Sequence, residues 1–181
     1  MRLIPTGLPR HRPPPAASGA DRLAMALLAV GEFPGLVVDE REVRRPSPSY
    51  TVVTLEELRR ELPDASLAWL IGADSFCSLP TWHRWRELFS LTHFVVTARP
   101  GYELEASIPD ELRDDWNRRR TADPRALTAR PAGAVLVQSV EPQPISASDL
   151  RRRLAAGLDV RGLLPVSVID YIRSHRLYQT A

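Results

Sequence analysis

The sequence contains no lysine and a single cysteine, Cys77. One thiol excludes an intrachain disulfide framework and any metal site built from several cysteines. No stretch approaches the roughly 18 consecutive apolar residues that a membrane span needs. The first residues also lack the basic-then-apolar pattern of a signal peptide. These absences predict a soluble cytoplasmic protein with no membrane partner.

All 24 basic residues are therefore arginines, set against 22 acidic residues for a formal net charge of +2. Arginine binds phosphate groups well because its guanidinium is a planar fork of donors. However, the charges are mixed along the chain, whereas a nucleic-acid-binding protein usually gathers them into a stripe. We therefore expect no nucleic-acid partner, and an arginine-rich RNA-binding module is kept only as an alternative.

Apolar periodicity predicts strands that alternate with helices along the whole chain. The predicted strands cover residues 1–5, 36–43, 67–71, 93–97 and 134–138, and the predicted helices include 21–30, 52–62, 82–89, 110–119, 150–158 and 165–177. This alternation is typical of an α/β fold with a doubly wound parallel sheet. With 181 residues and 44% hydrophobic content, the chain is expected to form one domain, 1–181. Residues 103–131 are expected to make an excursion outside the sheet.

Residues 145–151 join a predicted strand to a predicted helix. A helix N-terminus attracts anions because its first N–H groups lack intrahelical partners and carry partial positive charge. Ser146, Ser148 and Arg151 are therefore candidates to hold a phosphate chain. The alternative is a helix cap, in which Ser146 and Asp149 form a capping box.

Other candidate residues follow the predicted strands, where α/β sheets bind ligands. Asp74, just after the strand at 67–71, can accept hydrogen bonds from a ribose, or it can act as a helix cap. Trp82 at a helix start can stack on a planar heterocycle, or it can be a core residue. Arg12 lies in a proline-rich loop that can aim it at a ligand, and Arg99 follows the strand at 93–97. No histidine has a second ligand at metal-binding spacing, so we expect no metal site in the chain.

Short motifs in order along nearly the whole chain resemble those of bacterial nicotinate-nucleotide adenylyltransferases. They are His11-Arg12, Pro48-Ser49-Tyr50-Thr51, Ile71-Gly72-Ala73-Asp74-Ser75, Pro80-Thr81-Trp82, Arg99-Pro100-Gly101-Tyr102 and Ile145-Ser146-Ala147-Ser148-x-Leu150-Arg151. The resemblance implies a Rossmann-like nucleotidyltransferase fold. It also implies transfer of AMP from ATP to nicotinate mononucleotide, which gives deamido-NAD and pyrophosphate in NAD biosynthesis, with Mg²⁺ accompanying ATP.

The resemblance also implies roles for individual residues. The residues implied for ATP are Ser146, Ser148 and Arg151 at the phosphates, Asp74 near the ribose and Arg99 on the adenine side. Those implied for nicotinate mononucleotide are Trp82 stacked on the ring, with Thr51 and the backbone around His83 at the carboxylate. Arg12 is expected on this side as well. Another acceptor, such as nicotinamide mononucleotide or phosphopantetheine, is the alternative, as is a non-catalytic nucleotide-binding module. The sequence leaves the oligomeric state open.

One family motif, Gly-Gly-Thr-Phe-Asp-Pro-x-His-x-Gly-His, has no counterpart in the sequence. Its histidines hold the phosphates around the breaking bond, so no catalytic residue is assigned and the chain is expected to be impaired. Because Met1 falls in the middle of a predicted strand, we expect that a first strand and helix are missing through a misassigned start. A true truncation is the alternative.

Overall fold

The computed structural model describes residues 1–8, 16–31, 33–99, 101–141 and 145–179. Its strands are β1 (Arg2–Leu3), β2 (Val37–Val38), β3 (Ala68–Gly72), β4 (His93–Ala98), β5 (Arg120–Thr121) and β6 (Val135–Ser139). Its helices are α1 (Gly19–Val30), α2 (Arg41–Arg44), α3 (Thr51–Glu61), α4 (Ala73–Cys77), α5 (Leu88–Leu91), α6 (Leu104–Ser107), α7 (Asp110–Arg119), α8 (Ala147–Ala155) and α9 (Val166–Ser174).

The chain forms two compact units. The first comprises Met1–Ser49 and Gln143–Ala181, and the second comprises Tyr50–Pro142. Each unit contains parallel strands with helices between them, so the α/β class and the parallel pairing expected from the sequence are confirmed. No helix in the described ranges has the length and apolar character that crossing a membrane requires.

A four-stranded parallel sheet forms the centre of the second unit, in the order β3-β4-β6-β5. The core of this unit lies around β4, whose Phe94 and Val96 are fully buried. The ring of Phe94 makes edge-to-face contacts with Phe76 of α4 at 5.7 Å and Phe89 of α5 at 5.2 Å between centroids. Aromatic pairs in this geometry add to the stabilisation that burial alone provides.

One expectation about this sheet was wrong. Residues 103–131 are not wholly outside it, because Arg120 and Thr121 form β5 and pair in parallel with Val135 and Leu136 of β6. A continuous apolar run such as 67–71 is typical of a strand covered on both faces. In this protein, however, β3 lies at an edge of the described sheet, and the side chain of Leu70 is 56% exposed.

The first unit contains the short parallel pair β1-β2. Its helix α1 begins at a complete capping box between Ser18 and Asp21, as expected for a serine three residues before an acid. The hydroxyl of Tyr171 in α9 donates a hydrogen bond to Asp21 at 3.0 Å, which ties α9 to the start of α1.

The strand predicted for residues 36–43 was wrong beyond Val38. Asp39 accepts hydrogen bonds from the backbone N–H of Arg41 at 3.2 Å and from the Arg41 guanidinium. An aspartate that binds the backbone two residues ahead forms a turn. The chain therefore leaves the sheet at Asp39 and enters α2.

Candidate functional site

The parallel pairing brings the carboxyl ends of β3 and β4 to one edge of the sheet, with Gly72 opposite Thr97 in the register. Asp74 and Arg99 both lie just beyond these ends, and both are exposed. The structure therefore places these two predicted residues on the edge at which α/β sheets bind ligands.

Asp74 does not cap α4, because the N-cap is Gly72 and no side chain makes the cap hydrogen bond. Its carboxylate folds back over the strand end. A Cβ atom added to Gly72 would lie 2.8 Å from Oδ1 of Asp74, so the glycine leaves room for this approach. An exposed carboxylate at a strand end can accept hydrogen bonds from the hydroxyls of a ribose.

Trp82 does not start a helix, in contrast to the prediction for residues 82–89. It ends a 3₁₀ turn at Leu79–Thr81 with an extended backbone, and its Nε1–H donates to the hydroxyl of Ser78 at 3.3 Å. Trp82 is only half-buried, whereas Trp85 is 8% exposed and belongs to the core. The two tryptophans therefore differ in burial, and Trp82 is the more accessible of them.

His83 lies against the start of α3. Its ring centroid is 4.5 Å from that of Tyr50, with 37° between the planes. Tyr50 is the N-cap of α3 and Thr51 is the first residue of the helix. The structure thus brings the segment that carries Thr51 together with the segment that carries Trp82 and His83, although 30 positions separate them in the numbering.

Ser49 precedes the N-cap residue Tyr50 and does not cap α3. No side chain makes the cap hydrogen bond of α3. The hydroxyl of Ser49 instead accepts a hydrogen bond from the backbone N–H of Gly7 at 3.0 Å. Thr51, the first residue of α3, is half-buried.

Arg84 is a residue that sequence reasoning missed. Its backbone adopts the left-handed conformation, with φ 52° and ψ 39°. Its Nη2 atom lies 2.6 Å from Oε1 of Glu56 in α3 and 2.5 Å from Oε2 of Glu87, and its Nε lies 2.8 Å from Oε1 of Glu87. These hydrogen bonds lower the pKa of the Glu87 carboxyl.

In the first unit, Ser146 is the N-cap of α8, and its hydroxyl accepts the N–H of Asp149 at 3.0 Å. The Asp149 carboxylate is bound by Arg152 and by Arg153, the latter at 2.8 Å. These arginines lower its pKa. The structure therefore contains the serine half of the expected capping box.

Ser148 and Arg151 lie on the first turns of α8, and both are exposed. Nη2 of Arg151 lies 3.4 Å from the hydroxyl of Ser148, at the long end of the hydrogen-bond range. Two hydroxyls and a guanidinium thus lie at one helix N-terminus, an arrangement that suits a phosphate chain. The predicted site residue Arg12 lies outside the described residues.

Residues 2–153 match the family described as Cytidylyltransferase-like. This match and the parallel strands of the chain place it in the class of nucleotidyltransferases of Rossmann-like fold.

Closer relatives define the family within this class. The chain is 48% identical over 179 residues to the "Probable nicotinate-nucleotide adenylyltransferase" of Aeromonas salmonicida, covering 99% of this chain and 83% of the relative. It is 49% identical over 181 residues to the protein of the same name from Sodalis glossinidius, covering 98% and 82%. The chain belongs to the nicotinate-nucleotide adenylyltransferase family.

A solved structure gives the same fold. It is that of Plasmodium falciparum nicotinic acid mononucleotide adenylyltransferase complexed with NaAD. The TM-score is 0.66 at 15% sequence identity, and the match covers 98% of this chain and 81% of that one. At this identity the likeness extends to the fold alone.

Proposed function

We propose that the protein transfers AMP from ATP to nicotinate mononucleotide and releases deamido-NAD and pyrophosphate. In this reaction a phosphate oxygen of the mononucleotide attacks the α-phosphorus of ATP. The bond from that phosphorus to the β-phosphate oxygen breaks, and pyrophosphate leaves. The observation that carries the proposal is the contact of His83 with Tyr50, because it joins the tryptophan loop to the Thr51 end of α3.

The second unit is proposed to bind the nicotinate nucleotide. Trp82 has a half-buried ring on which a pyridine can stack. The Thr51 hydroxyl and the backbone at His83 are proposed to donate hydrogen bonds to the nicotinate carboxylate. A site built on such donors favours a carboxylate over an amide, since an amide presents its own donor in place of one acceptor. Arg12 is assigned to this nucleotide by its sequence position alone.

The groups at the start of α8 are proposed to bind the triphosphate of ATP. The hydroxyls of Ser146 and Ser148 and the guanidinium of Arg151 are exposed donors at a helix N-terminus. Asp74 and Arg99 are proposed to contact the ribose and the adenine side respectively. Holding the reactants in position and neutralising charge on the phosphates is the main protein contribution to this kind of transfer.

Mg²⁺ is proposed to be carried to the enzyme on the phosphates of ATP. Within the described ranges, no three His, Cys, Asp or Glu side chains are grouped as a metal site. Magnesium commonly keeps several waters and is held by substrate phosphates together with one or two carboxylates. Its chemical contribution would be to neutralise charge on the leaving pyrophosphate.

Turnover by this chain alone is proposed to be slow. The sequence contains no histidine pair of the form His-x-Gly-His, and its histidines are His11, His83, His93 and His175. His93 is fully buried, and both of its ring nitrogens are engaged by the backbone. Histidines that hold the reacting phosphates are worth orders of magnitude in rate.

We also propose that residues 1–181 fold as one domain in the cytoplasm. A single cysteine suits a reducing compartment. One cooperative unfolding transition for both units would support the single domain, whereas two separate transitions would refute it.

The test is an assay of pyrophosphate and dinucleotide formation with ATP and Mg²⁺. Nicotinate mononucleotide and nicotinamide mononucleotide are compared as acceptors, and phosphopantetheine is a third arm. We expect deamido-NAD as the product, at a rate well below that of the Aeromonas salmonicida relative assayed in parallel. Preference for the amide or for phosphopantetheine would overturn the acceptor assignment, and an equal rate would overturn the proposed impairment.

A further inference from the structure

In the loop that carries Trp82 and His83, one residue has a backbone conformation that is unfavourable for a residue with a side chain. Arg84 has φ 52°, where the Cβ of an L-residue crowds the following carbonyl and glycine is preferred. The reversal at this residue separates an extended, half-buried Trp82 from Trp85, whose ring enters the core. The position thus carries an arginine where the backbone geometry alone would favour glycine.

The arginine side chain connects two elements. Its guanidinium binds Glu87 through both Nε and Nη2, and a two-point contact of this kind fixes the plane of the guanidinium. The same Nη2 lies 2.6 Å from Oε1 of Glu56 in α3. Arg84 therefore ties the loop to the helix that begins at Thr51.

A second contact ties the same loop to the same helix. The ring of His83 packs on that of Tyr50, the N-cap of α3. Tyr50 and Glu56 hold the loop at two points along the first turns of the helix. Two points of attachment restrict rotation of the loop about either one, so Trp82 keeps a defined distance from Thr51.

We propose that Arg84 is a positioning residue that fixes the loop at residues 82–84 against α3 and thereby sets the affinity for the nicotinate nucleotide. The inference rests on the proposed function, because it takes Trp82 and Thr51 as the residues that bind this nucleotide. Arg84 itself touches neither substrate in this proposal. It acts through the spacing of the groups that do.

The ion pairs of Arg84 are poorly suited to a role in global stability. The side chains of Arg84, Glu56 and Glu87 are 38%, 34% and 51% exposed. Ion pairs at such exposure are screened by water and salt, and they contribute little to the free energy of unfolding. Small misplacements of substrate-positioning groups, in contrast, are costly for binding and turnover.

The test compares stability with binding in the variants Arg84→Gly, Arg84→Lys and Glu56→Gln. Glycine adopts the left-handed backbone conformation without strain, but it lacks the guanidinium that binds Glu56 and Glu87. Arg84→Gly should therefore unfold at the same temperature as the wild type or higher. Its Kd for nicotinate mononucleotide, measured by calorimetric titration, should rise roughly 5- to 20-fold, with Kd for ATP changed less than about twofold. Lysine keeps the charge but not the fork, so Arg84→Lys should recover part of the affinity.

Arg60→Ala is the matched control, since Arg60 is an exposed arginine on the same helix as Glu56. It should leave both Kd values and the unfolding temperature unchanged. If Arg84→Gly and Glu56→Gln bind the mononucleotide as tightly as the wild type does, the positioning role is refuted. A loss of stability parallel to the loss of affinity would also refute it, because that pattern belongs to a structural residue.

Hydrogen exchange separates failure of this inference from failure of the proposed function. If the wild type binds no nicotinate mononucleotide, the proposed function fails. In that case the exchange rate of the backbone amides at residues 82–87 still measures how firmly Arg84 attaches the loop to α3, because no substrate is needed. Faster exchange in Arg84→Gly and Glu56→Gln, but not in Arg60→Ala, would support the tie, and unchanged exchange would overturn it.

Discussion

Nδ1 of His93 accepts a hydrogen bond from the backbone N–H of Ala134 at 2.9 Å. Because Nδ1 is an acceptor, the ring proton of the neutral imidazole is on Nε2, which donates to the carbonyl oxygen of Arg130 at 2.8 Å. The ring is fully buried. It joins the start of β4 to the chain that enters β6, and protonation of Nδ1 would break the bond to Ala134.

This arrangement predicts acid sensitivity. Burial lowers the pKa of His93 from its usual 6.5, and the nearby charges of Arg130 and Arg59 add to this, partly offset by the bond to the Arg130 carbonyl. The unfolded chain therefore takes up a proton at a higher pH than the folded chain. The contribution of the buried, neutral His93 to the free energy of unfolding is fully present above about pH 6.5. It is lost as the pH falls through that value towards the lower pKa of the folded state.

Urea unfolding at a series of pH values measures the effect. Replacement His93→Phe should remove the contribution of His93 to the acid dependence, while it costs about 2–4 kcal/mol at neutral pH because the buried N–H of Ala134 and the part-buried carbonyl of Arg130 lose their partner. A wild-type unfolding free energy that does not change between pH 8 and pH 5 would contradict the assignment.

Arg59 is predicted to be a stabilising residue of the second unit. Its guanidinium donates to main-chain carbonyls, those of Leu62, Pro63, Ala65, Leu91 and Pro131. These acceptors lie on separate segments, so Arg59→Met would release several of them at once. We expect a loss of roughly 2–4 kcal/mol in the free energy of unfolding. Arg60→Met, at an exposed position of the same helix, should change it by less than about 0.5 kcal/mol.

Much of this fold could be predicted from apolar periodicity. The helix at 110–119 was predicted with the bounds that the structure has, and its acidic first turn and basic last turn suit the helix dipole. The strand at 93–97 was also confirmed, because residues that are buried on both faces form a continuous apolar run.

What the sequence did not reveal depends on tertiary contacts. β5 consists of Arg120 and Thr121, a polar pair that is a strand only because β6 lies beside it. The helix predicted for residues 82–89 was wrong at its start. The spacing of Trp82 and Trp85 resembles a helical repeat, but the left-handed backbone at Arg84 prevents a helix there, and helical turns begin only at Trp85.

The site residues could be named from the order of the motifs along the sequence. The contacts between these residues could not be predicted in this way. Nothing in the sequence indicates that Tyr50 meets His83 or that Glu56 meets Arg84, since those contacts arise from packing between distant segments. The assigned roles of Ser146, Ser148, Arg151, Asp74 and Arg99 stay predictions, as do those of Thr51, Trp82, His83 and Arg12.

The phosphate assignment at α8 predicts a specific loss of ATP affinity. Arg151→Ala removes a guanidinium next to the Ser148 hydroxyl, and we expect KM for ATP to rise roughly 10- to 100-fold because a charge-assisted bond to phosphate is lost. KM for nicotinate mononucleotide should change little. Arg152 is the matched control, since its 80% exposed side chain pairs with Asp149. Equal effects of Arg151→Ala and Arg152→Ala would show that only the overall positive charge matters.

The stacking role of Trp82 makes the final prediction. Replacement Trp82→Ala should raise KM for nicotinate mononucleotide roughly 10-fold or more, as stacking on an aromatic ring contributes about 1–3 kcal/mol. Trp82→Phe should recover most of this affinity, because a phenyl ring keeps a flat face although it loses the hydrogen bond to Ser78. The unfolding temperature should stay nearly unchanged in both variants, since Trp82 is only half-buried.

Trp85→Ala provides the contrast. The ring of Trp85 is in the core, so this replacement should lower the free energy of unfolding by about 3–5 kcal/mol. A Trp82→Ala variant that is destabilised to the same degree, with KM unaltered, would assign Trp82 to the core and remove it from the site.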